Sequence, residues 1–119
     1  MDQEELIKQI RKSVIEENLD LYKETFKHTI PDETTISHWS EALSFFKRLN
    51  DQDKETLFKI IRQVEVDITA HILGVLDGSS WLEGQEEEFE LKIEGRDDLI
   101  NGELMEIFLE LEEEDRLEE

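Results

Sequence analysis

The chain has 119 residues, with 33 Asp/Glu against 13 Lys/Arg and a formal net charge of −20 at pH 7. That charge disfavours contact with nucleic acid or an anionic membrane and favours a basic partner. There is no cysteine, which excludes disulfides, thiolate metal sites and cysteine nucleophiles, and fits a reducing, cytoplasmic setting.

Residues 3 to 27 read as a helix, with Leu6, Ile7, Ile10, Val14, Leu21 and Tyr22 near helical spacing. Asn18 is a candidate dividing point, since Asn is a poor interior residue and a good N-cap. Pro31 ends the segment. A second helix is expected from about Thr35 to Leu49, with Ile36, Trp39, Leu43 and Phe46 on one face.

The third helix carries the strongest pattern. Asn50 or Asp51 caps it, and Asp53 and Glu55 suit the positive end of its dipole. Leu57, Ile61, Val64, Ile68, Ile72 and Val75 form a stripe over five turns, widened by Phe58, Ile60 and Leu76. Val66 and Leu73 fall on the opposite side. Apolar residues on more than one side make this the expected central helix, with Ile68 and Ile72 in the core. Gly78 closes it as a left-handed C-cap.

Beyond Gly78 the pattern changes. Glu88 to Glu94 alternates, with Phe89, Leu91 and Ile93 on one side, which predicts a half-buried strand. Ser80-Trp81-Leu82 is its candidate partner in a short β-hairpin, and an open strand edge could pair across a homodimer. A fourth helix is expected from Asp97 or from about Gly102, with Ile100, Leu104, Ile107, Phe108 and Leu111 on one face. The expected fold is therefore mainly α: about four helices, the third central, with a short hairpin before the last. Residues 1–111 form the expected single globular domain, and the acidic run 112–119 a mobile tail. No signal peptide is visible in the acidic start, and no apolar run approaches the roughly 20 residues needed to span a bilayer.

The acidic charge is uneven. Residues 1–59 hold 13 Asp/Glu against 9 Lys/Arg, a balance of −4, whereas residues 60–119 hold 20 against 4, a balance of −16. Self-repulsion on this scale predicts a fold stabilised by salt and by mild acidification.

Motifs of chemistry are sparse. His71 lies on the third helix four residues after Asp67, a spacing at which a carboxylate orients an imidazole, yet neither a nucleophile nor a metal set accompanies the pair. A core-edge histidine satisfied by Asp67 is the structural alternative. Glu65 falls inside the apolar arc, with Arg62 one turn earlier as its expected partner. His28, His38 and His71 are isolated, so no metal site is expected. Asp51-Gln52-Asp53-Lys54-Glu55 resembles the start of a calcium loop, but Thr56 and Arg62 occupy the positions where glycine and glutamate are required. The glycines are scattered, with no phosphate-binding loop, and no cofactor is expected.

These residues favour a small acidic protein-binding or regulatory module over an enzyme. Its sharpest form is an immunity- or antitoxin-type inhibitor of a basic protein, with no nucleic acid and no membrane among its partners. The alternative is a small enzyme or ligand-binding domain using Asp67 and His71. The expected partner-binding residues are Trp81, Glu83, Glu86, Glu87, Glu88 and Glu90, where charge, an aromatic anchor and a strand edge meet.

Overall fold

Helix-forming segments account for most of the chain in the computed structural model, which describes residues 1–30 and 37–118. The N-terminal segment is one continuous helical rod. It comprises α1 (Gln3–Ile10), a wider π-helical stretch (Arg11–Glu17) and α2 (Asn18–His28). Then follow α3 (Ser37–Arg48), α4 (Asp51–Asp77) and α5 (Leu104–Leu117). The expected roles of Pro31, Thr35 and Ile36 lie outside the described residues.

Asn18 does not divide the first helix. The backbone widens just before it instead, and this moves the buried face. Eight residues on, an uninterrupted α-helix would rotate Ile15 by about 80° from Ile7. The wider turns take up that rotation, so Ile7 and Ile15 are both fully buried, whereas Val14 and Leu21 are left exposed.

The 27-residue α4, about 40 Å long at 1.5 Å per residue, is the spine. Asn50 caps it by accepting from the Asp53 N–H at 2.8 Å, and Gly78, with φ +85°, closes it in the left-handed region. The rod runs antiparallel along α4. One apolar cluster gathers Ile7, Ile15, Val66, Leu73, Leu104 and Phe108, so the rod, α4 and α5 meet there. A second gathers Leu19, Phe46 and Phe58, with Phe26, Leu49, Leu57 and Ile61 against it, where α3 covers the other end. Trp39 sits at the edge of this cluster beside Tyr22 and Phe26, with ring centroids 6.1 and 5.9 Å away.

The inward face of α4 is not the stripe richest in isoleucine. Ile60, Val64, Ile68 and Ile72 are 57%, 50%, 55% and 56% exposed. The buried line is Phe58, Val66, Thr69 and Leu73, with Arg62 and Asp77 in the same register. The expectation that Ile68 and Ile72 are core is therefore overturned, and Val66 and Leu73, expected to point away, take their place. Small residues explain the choice in part. Gly74 lets α5 approach closely, since a Cβ there would lie 2.9 Å from the Met105 sulfur. Thr69 is buried on the same side, and Ala70 packs against the first cluster. Polar keying explains the rest: Arg62 and Asp77 both find partners inward.

Asp77 builds the start of α5. Its carboxylate accepts from the Gly102 N–H at 2.6 Å and the Met105 N–H at 2.8 Å, so the cap comes from the preceding helix and not from Asp97. Ile100, Leu104 and Phe108 are buried, as the spacing predicts. The acidic run does not leave the fold at residue 112. Helix α5 continues to Leu117, and Glu112 is buried between two arginines.

The expected hairpin does not form, and no β-strand occurs among the described residues. Its hydrogen bonds go elsewhere. Asn101 donates to the Phe89 carbonyl at 2.8 Å and accepts from the Leu91 N–H at 3.1 Å, while the Ile100 N–H donates to the Leu91 carbonyl at 2.8 Å. Residues 81–85 close their own turn, with the Gln85 N–H donating to the Leu82 carbonyl at 3.0 Å. The strand edge through which a homodimer could have paired is absent with the strand.

The radius of gyration, 18.0 Å, exceeds the roughly 13–14 Å of a compact domain of this length. Fifteen large apolar side chains are exposed among the described residues against twelve buried, which fits an elongated molecule with uncovered faces. The burial pattern sets an expected pair of stabilities. Phe108→Ala should cost about 3–5 kcal/mol, and Ile68→Ala less than about 0.5 kcal/mol. Urea unfolding of both variants checks this; equal losses would mean that the isoleucine stripe is core.

Candidate functional site

Three charged groupings stand out, and they differ in whether their polar atoms are satisfied. The most buried is Glu112, whose side chain is 4% exposed. Arg11 donates to its Oε1 from Nε at 3.2 Å and from Nη2 at 3.1 Å. Arg62 reaches both oxygens, at 3.0 and 3.1 Å, and also Glu16 at 3.1 Å. Asp115 completes the set against Arg11. Burial works against the charge on Arg11, but Asp115 and Glu112 outweigh it and hold the guanidinium above its usual pKa. Burial likewise opposes the charge of Arg62, and Glu112 and Glu16 outweigh it. Each oxygen of Glu112 has a partner, so this cluster ties the rod, α4 and α5 together.

The second grouping is the pair Asp67 and His71, which the structure does not bring together. Asp67 accepts from Gln63 Nε2 at 2.8 Å, and His71 is exposed on the outer side of α4. Among the described residues no group of three His, Asp or Glu side chains could hold a metal ion.

The third is Glu65. Arg62, its expected partner, is taken by Glu112 and Glu16. Asn18, the first residue of α2, donates to Glu65 Oε1 at 3.3 Å, and Oε2 is buried without a partner. Val14, Asn18 and Tyr22 from the rod, with Ile60, Val64 and Ile68 from α4, line a groove of about 410 Å³ around it. Burial raises the Glu65 pKa, and Glu16 adds to the rise, while the Asn18 hydrogen bond and the Arg62 charge oppose it. Sequence periodicity pointed to Glu65 but not to its lack of a cation, because Arg62 had two other carboxylates within reach.

Trp81, Glu83, Glu86, Glu87, Glu88 and Glu90 are all exposed. They lie on a loop that is pinned, not loose. Trp81 Nε1 donates to the Gly78 carbonyl at 3.2 Å, folding the indole back towards the end of α4 while leaving it 50% exposed. Gln85 accepts from the Leu82 N–H at 2.9 Å and donates to the Glu87 carbonyl at 2.9 Å. Further on, Arg96 donates to the Met1 carbonyl at 2.8 Å and Gln3 to the Ile100 carbonyl at 2.9 Å, so the loop is tied to the start of the chain. Leu82 and Phe89 stand exposed among the glutamates.

No protein-family model, curated protein or solved structure matches this chain. No helix among the described residues is long and apolar enough to cross a membrane.

The raised Glu65 pKa has a signed consequence. The folded state holds that proton to higher pH than the unfolded state, so stability falls as pH climbs from the ordinary carboxylate value through the raised one. Glu65→Gln removes the titration. The variant should melt above wild type at pH 7, and the gap should close on acidification below about pH 4, where free glutamates protonate. Thermal midpoints of both proteins across this range check it; parallel curves would contradict it.

Proposed function

We propose that this chain is a protein-binding module that engages a basic protein through the acidic loop after α4, with Trp81 as its apolar anchor and Glu83, Glu86, Glu87, Glu88 and Glu90 as its charged rim. The observation that carries this reading is the pinned loop: half-exposed Trp81, Leu82 and Phe89 are held among exposed glutamates by Asn101, Gln85 and the end of α4. A loop already ordered loses less conformational entropy on binding than a free one. Exposed aromatic groups beside charge are the usual anchors of an interface. The excess of −16 in residues 60–119 sets the partner's sign. An immunity- or antitoxin-type inhibitor, covering the phosphate-binding face of a basic protein, is the form of the proposal in which this charge has the clearest use.

The test is capture of partners on immobilised chain, followed by binding kinetics. Wild type should capture a protein of net positive charge. Changing Glu86, Glu87 and Glu88 together to Gln should slow its association about tenfold at low salt and flatten the salt dependence. Trp81→Ala should speed dissociation about 30-fold, the loss of a hot spot. Unchanged rates in both variants, or a captured protein of net negative charge, would sink the reading.

A further inference from the structure

A different surface carries a second binding mode. The stripe Ile60, Val64, Ile68 and Ile72 recurs every four residues along one side of α4, spanning about 18 Å at 1.5 Å per residue. Each side chain is half exposed or more. Beside it runs the groove whose far wall is Val14, Asn18 and Tyr22. Among the described residues no lysine or arginine lines this groove, and its one carboxylate, Glu65, has a buried oxygen without a partner. An apolar patch of this kind on a monomer marks a site of association. A buried carboxylate oxygen in it selects for a donor, most strongly a charged one.

We propose that the groove between the N-terminal rod and α4 binds an amphipathic helix of a basic protein, with apolar side chains over Ile60, Val64 and Ile68 and a lysine or arginine at Glu65. This rests on the basic-partner reading only for the sign of the partner's charge, and it uses none of the loop residues. A helix fits where a strand does not. Its backbone is satisfied internally, whereas a strand laid on isoleucine and valine side chains would bury unpaired N–H and C=O groups. A third helix also fits the groove between two antiparallel ones, where side-chain ridges interlock. Charge complementarity decides against a second copy of this chain, which would bring a like charge of −20 and, in a symmetric pairing, a second Glu65 without a cation.

The experiment is a display selection of 16-residue helical peptides with randomised faces on the full-length chain, counter-selected against the Ile68→Glu variant. Enriched peptides should carry Leu, Ile or Phe at helical spacing around one Lys or Arg. A synthetic enriched peptide should bind Glu65→Gln and Ile60→Glu at least tenfold more weakly than wild type, with the helical circular dichroism of both variants intact. Changing Glu86, Glu87 and Glu88 to Gln should leave this binding unaltered, so failure of the loop reading and failure of the groove are separable. Enrichment without a cation, no enrichment over the Ile68→Glu background, or equal affinity for Glu65→Gln would overturn the proposal. So would a wild-type dimer in sedimentation that Ile68→Glu dissolves, which would assign the face to a second copy.

Discussion

The Glu112 carboxylate, held between Arg11 and Arg62, is the interaction on which the rest of this structure depends. Among the described residues it is the one point at which the N-terminal rod, α4 and α5 share charged hydrogen bonds. A buried pair of this kind contributes little net stability against a well-packed apolar substitute, because taking the ions out of water offsets their attraction. Its effect is on specificity. Removing one partner of a buried pair costs about 3–5 kcal/mol, since the others are left uncompensated. Any packing of α4 that turned Arg62 outward would strip Glu112 of two of its bonds. The inward register of α4 follows, with Phe58, Val66 and Leu73 carried into the core along with Arg62.

Two consequences run outward from that clamp. The isoleucine stripe, on the other side of the same helix, is left facing solvent. Glu65 is left without an ion pair to Arg62, its neighbour in sequence, and takes its hydrogen bond from Asn18. The π-helical stretch of the rod serves both carboxylates: Arg11 at its start reaches Glu112, and Asn18 just past its end reaches Glu65. A wider turn there sets which rod residues face inward, so backbone geometry and charge pairing are adjusted at the same place.

Much of the fold was legible in the residues. Asn50 and Gly78 marked both ends of α4, and the spacing of Leu104 and Phe108 gave the inner face of α5. What misled was the richness of α4, which carries two apolar stripes. Counting favours the one with more isoleucine, but the choice between them is made by Gly74, which lets α5 close in, and by Arg62 and Asp77, whose partners are remote in sequence. The alternation Phe89, Leu91, Ile93 looked like a strand because local pattern cannot show that Asn101 occupies the backbone groups a neighbouring strand would take. The acidic run from Glu112 looked solvated for the same reason: its two arginines lie 50 and 101 residues away. For the site, exposure of the loop glutamates was readable from charge alone, whereas the orphaned oxygen of Glu65 depends on where Arg62 is spent.

The central claim is that α4 turns its polar-keyed face inward and leaves its isoleucine stripe free. Isoleucine methyl NMR with a soluble paramagnetic agent measures this directly, because the agent broadens only the methyl groups it can reach. The account predicts strong broadening at Ile60, Ile68 and Ile72, with Ile7, Ile15 and Ile100 remaining sharp. Protection of Ile68 and Ile72 to the same degree as Ile7 in the monomer would contradict it.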